Sequence, residues 1–106
     1  MLRSVGQTPV TNSGTETKDP RMTALGVTVL RLRRELAGNP GRFPDRDIAD
    51  RELVVLAAMA TGGQPDIPRM RRSLLLIAGA IGSVSALGPA LLQVRGAVDL
   101  FGEASR

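Results

Sequence analysis

At 106 residues the chain is long enough for one small hydrophobic core, and a core of that size leaves much of its surface open to self-association or to partners. Only Phe43 and Phe101 are aromatic, so Leu, Val, Ile, Ala and Met must fill the interior, an alphabet that suits close helix packing better than a β-sandwich. Cys and His are absent, which excludes disulfides, thiolate chemistry, an imidazole base and His-ligated metal. The net charge of +4 is spread along the chain and permits attraction to anionic surfaces without requiring it.

Residues 1–18 are rich in Thr, Ser and Gly and carry little to bury, so they read as a disordered tail; the lack of a continuous apolar run there argues against a secretory signal. A single helical domain is expected over residues 19–102. Its first helix has Asp19 as a cap and Pro20 at the first helical position. Met22, Leu25, Val29, Leu32 and Leu36 then recur at alternating spacings of three and four and define one apolar stripe, which Gly38 and Pro40 bring to an end.

The stretch from Asn39 to Pro44 reads as a tight connection with Phe43 as an anchor. A second helix is expected from Asp45 or Asp47 to about Thr61, with Ile48, Ala49, Leu53, Leu56, Met59 and Ala60 on its apolar face and Gly62-Gly63 as its stop. Asp45, Asp47, Asp50 and Glu52 are interleaved with Arg46 and Arg51, a pattern of capping and surface pairing more than of a cation site.

Asp66 is expected to cap a third helix carrying Met70, Leu74, Ile77, Ile81 and Val84 in one stripe. Pro89, preceded by Gly88, should kink or break it, and Ala90 to about Phe101 makes a last helical piece. The fold class is therefore all-α: a three- to four-helix bundle, or a helical hairpin followed by a long kinked C-terminal helix.

Ser73–Val94 is a run of 22 residues without a charge, preceded by Arg69, Arg71 and Arg72 and followed by Arg95. About 20 apolar residues cross a bilayer, so the run is long enough for a membrane span. Its Ser, Gly, Pro and Gln content favours the alternative, a helix at the centre of the core.

Two surfaces stand out. Leu91, Leu92, Val94, Val98, Leu100 and Phe101 are too many for one small core and form the candidate partner interface. Arg31, Arg33, Arg34, Arg69, Arg71 and Arg72 would line one basic face if helices one and three lie side by side. Helix-turn-helix spacing and stacking aromatics are missing, which argues against nucleic acid as the partner. No residue pattern points to catalysis, to a cofactor or to a metal.

The stretch from Asp66 to Gly102, with the preceding helix RELVVLAAMATGG, resembles a family of short uncharacterised actinobacterial proteins. It is more loosely similar to small helical modules of bacterial conflict systems. The markers are the helix ending in Gly62-Gly63, the turn at Pro65-Asp66-Ile67-Pro68, the Arg-rich helix start, and the close at Val98-Asp99-Leu100-Phe101-Gly102. The resemblance implies a helical interaction module and supplies no catalytic residue. The expected function is a non-catalytic adaptor, cytoplasmic, that self-associates or docks on a larger protein. The alternative is a small membrane protein with residues 73–94 in the bilayer.

Overall fold

Capping and glycine placement decide where the helices of this chain begin and end. The computed structural model describes residues 19–41 and 44–104; the tail 1–18 and the anchor Phe43 lie outside the described residues. Helix α1 spans Pro20–Gly38. The Asp19 carboxylate accepts from the Arg21 backbone amide at 2.9 Å and pairs with the Arg21 guanidinium at 2.6 Å. The Arg21 side chain, and after it that amide, hold the Asp19 carboxyl below the usual carboxylate range.

Helix α2 spans Arg46–Gly62. Asp45 stands at its capping position, but its side chain makes no capping bond. Gly63 follows at φ 70°, and its amide donates to the Met59 carbonyl at 3.0 Å; glycine reaches this left-handed conformation without the Cβ clash other residues meet. Arg46 reaches back to the end of α1, where its guanidinium donates to the carbonyls of Leu36, Asn39 and Gly41. Those carbonyls have no partner inside α1 and lie at the negative end of its dipole, so a cation there is favourable.

Helix α3 spans Ile67–Ile81, with Asp66 accepting from the Arg69 amide at 3.1 Å and Pro68 in the first turn. The charge-free run then breaks earlier than Pro89. Gly82, Ser83 and Val84 form a connection, Ser85–Leu87 a 3₁₀ turn with Leu87 buried, and α4 occupies Gly88–Ala104. A proline ring clashes with the carbonyl four residues before it in a continuing helix, here that of Ser85. Pro89 therefore disfavours continuous α-helix through Ser85–Leu87 and sits in the first turn of α4, where it is tolerated. The run is thus a helical hairpin, not a long kinked helix. Among the described residues no helix is long and apolar enough to cross a membrane.

The helices form an all-α, four-helix bundle, with no strand among the described residues. Helix α1 packs on α2 and α4, and α3 packs on the same two from the opposite corner. Consecutive helices run antiparallel: Gly26 lies against Ala60, Ser73 against Glu52, and Arg71 against Gly102. The expected stripe of α1 is buried throughout, facing Leu53 and Leu56 of α2, Ile77 and Ile81 of α3, and Val94 and Phe101 of α4. The Arg21 guanidinium lies 4.8 Å from the centroid of the Phe101 ring, joining the start of α1 to the end of α4. Helix α3 is a corner of this bundle, not its centre: its buried line is Met70, Ser73, Ile77 and Ile81, while Leu75 and Leu76 face outward.

Candidate functional site

Because α3 and α4 contribute their apolar residues on more than one side, they bury one line and expose another. Between them runs a groove of about 480 Å³ whose walls are Leu74, Leu75 and Ala78 on α3 and Leu91, Leu92 and Val98 on α4. Leu75 is 73% exposed and Leu92 65%, the two most exposed large apolar side chains among the described residues. Arg71, Arg95 and Asp99 also line the groove, placing both charge signs beside its apolar floor.

The six residues expected at a partner interface divide between two places. Leu92 and Leu100 are exposed and Leu91 is half-buried at the groove wall. Val94, Val98 and Phe101 belong to the core of the bundle. The apolar excess of α4 thus serves the fold as well as the surface, and α3 supplies the rest of the face through Leu75 and Leu76.

The six arginines do not form one face. Helices α1 and α3 are diagonal in the bundle, so neither side of it carries both sets. Their levels differ too. Arg31 hydrogen-bonds Gln93 in the first half of α4, whereas Arg71 packs on Gly102 near its end. Arg31 also pairs with Glu35 at 3.0 Å, and Arg69 lies 3.5 Å from Glu52. Arg33, Arg34 and Arg72 are exposed. The condition that would have concentrated positive potential for nucleic acid is not met.

A second cleft, of about 600 Å³, lies between α1 and α2 and is lined by Met22, Thr23, Gly26, Val27, Leu30, Ala60 and Thr61, with Asp19 and Gly63 at its end. Its one carboxylate already holds Arg21.

One polar contact was not anticipated. Glu52 is 5% exposed and Ser73 fully buried, and the Ser73 hydroxyl donates to the Glu52 carboxylate at 2.8 Å. Both sit on core-facing lines, Ala49-Glu52-Leu53-Leu56 and Met70-Ser73-Ile77-Ile81. The signal was present in the spacing, since each occupies the three- or four-residue step of an apolar stripe. Fully covered, Ser73 offers its oxygen to no substrate; the pair ties α2 to α3. Among the described residues no three carboxylates converge in a group able to hold a metal ion.

Fold and site together define an all-α four-helix bundle with a leucine-rimmed groove between α3 and α4. Residues 14–102 match the model of a family of unknown function, DUF5955, and the chain belongs to that family. No curated protein and no solved structure matches it.

Proposed function

We propose that this protein is a non-catalytic helical interaction module of the cytoplasm that docks through the face formed by α3 and α4. The observation that carries this reading is the pair Leu75 and Leu92, both more than half exposed on the rims of one leucine-lined groove. Removing a leucine side chain from water is worth about 1.5–3 kcal/mol. A face that leaves several in solvent forgoes that stabilisation unless another surface covers it, and such patches mark interfaces. The α1/α2 cleft competes less well: its exposed apolar side chains, Val27 and Leu30, both stand on α1, whereas leucines of both helices line the α3/α4 groove.

Photo-crosslinking in the native cells tests the reading. With benzoylphenylalanine at position 75 or 92, irradiation should give a discrete adduct of higher mass, while the same probe at Arg33, exposed on α1, should give none. Adducts from Arg33 alone would remove the α3/α4 face as the docking surface.

A further inference from the structure

The outer ridge of α4 is nearly symmetric about its middle. Leu92 and Leu100 stand four residues on either side of Gly96, and all three are exposed. A Cβ built on Gly96 would meet nothing within 4 Å, so the centre of the ridge is a dent open to solvent. On the groove side of this ridge lie Arg95 and Asp99, one turn apart. Neither forms an ion pair with the other or with any other described residue, although opposite charges at this spacing commonly pair along a helix.

We propose that the occupant of the α3/α4 face is a second copy of this chain, with the two α4 helices crossing antiparallel at Gly96. The proposal rests on the docking reading above and names its partner. A two-fold axis at Gly96 sets each residue opposite the one equally far on the other side of the glycine. Leu92 of one copy then meets Leu100 of the other, and ridges of residues four apart are the ones helices most often interlock. With no side chain at the crossing point, the two backbones approach closely. At a rise of 1.5 Å per residue, Arg95 of one copy and Asp99 of the other differ by about 3 Å in height along the axis. They lie on the same flank, within reach of each other, and the symmetry makes the pair twice.

The groove is filled by the same operation. Arg71 lies against Gly102, which brings Leu75, one turn further along the antiparallel α3, level with Val98. Leu92 of the second copy arrives on that flank at the level of Leu100, about 3 Å further along, and its side chain covers the groove beside Leu75. Charge selects this occupant. Beside Arg71 on α3, the ridge offers the cation Arg95 and the anion Asp99 one turn apart, so a peptide of a single sign meets attraction at one and repulsion at the other. A second copy presents both at complementary positions, as a self-complementary two-fold interface requires.

Analytical ultracentrifugation of the full chain between about 1 and about 100 μM tests this, since a dimer of modest affinity dissociates across that range. The wild type should sediment as a dimer that dissociates on dilution. Gly96→Gln, a helix-favouring residue in open space, should retain its helical circular dichroism and sediment as a monomer. Arg95→Glu and Asp99→Arg should each weaken association at least tenfold, and the two together in one chain should restore it. A wild type monomeric throughout, a dimer indifferent to Gly96→Gln, or a double variant no better than the single ones would overturn the proposal. Crosslinks separate its failure from that of the docking reading. Adducts from position 92 to a different polypeptide, with a monomeric chain, overturn the second copy alone, whereas no adduct from 75 or 92 overturns the docking face itself.

Discussion

Glu52 and Ser73 show how one residue's chemistry can mask its position. The spacing of Ala49, Leu53 and Leu56 passes through position 52, and that of Met70, Ile77 and Ile81 through position 73. A glutamate among aspartates and arginines nevertheless reads as surface, because carboxylates are rarely buried without a partner. The partner comes from a different helix, so no local pattern contains it. Ser73→Ala deletes the short hydrogen bond and leaves the buried Glu52 oxygen with the Arg69 guanidinium 3.5 Å away, at an expected cost of about 1–3 kcal/mol in urea unfolding. Adding Glu52→Leu removes the carboxylate and should recover most of that loss. Arg46 was hidden in the same way: its partners are carbonyls at the end of the preceding helix, and only the fold of the connection brings them within reach.

Single elements were far more legible. Asp19, Pro20 and Asp66 mark helix starts, Gly63 marks a stop, and the stripe of α1 is buried at all five of its expected positions. These signals are local, made of hydrogen bonds and dihedral preferences spanning a few residues. The break in the charge-free run was legible only in part, since Pro89 announces it but acts on the turn before itself. Glycines test the same local physics. Gly79 lies within α3 with open space at its Cβ position, so Gly79→Ala should raise stability by about 0.5–1 kcal/mol. Gly63→Ala, forced into the left-handed region, should lower it by about 1–2 kcal/mol. Thermal unfolding of the two variants in parallel checks the opposite signs.

At the scale of the whole molecule, periodicity gives each helix an apolar side but does not say which helices are neighbours. That is why arginines from diagonal helices could be assigned to one face, and why the apolar excess of α4 could be assigned wholly to a surface. The bundle divides that excess, and the division is measurable. Val98→Asp places a carboxylate at a position 1% exposed and should abolish cooperative unfolding. Leu92→Asp, at the groove rim, should leave the helical signal and the unfolding midpoint close to those of the wild type.

The stacking of Arg21 on Phe101 closes the bundle into a ring of four helices whose first and last members touch. Chain order is therefore partly a matter of where the ring is cut. A flexible bridge of roughly six residues from position 104 to position 19, with the chain opened at Gly82–Val84, would yield a circular permutant with the same four corners. In the natural order the α1–α4 pairing is the most distant in sequence, and in the permutant it becomes a hairpin. Folding should accelerate, because the extensive α1–α4 contact becomes local and only the smaller α3–α4 contact is left to close the ring.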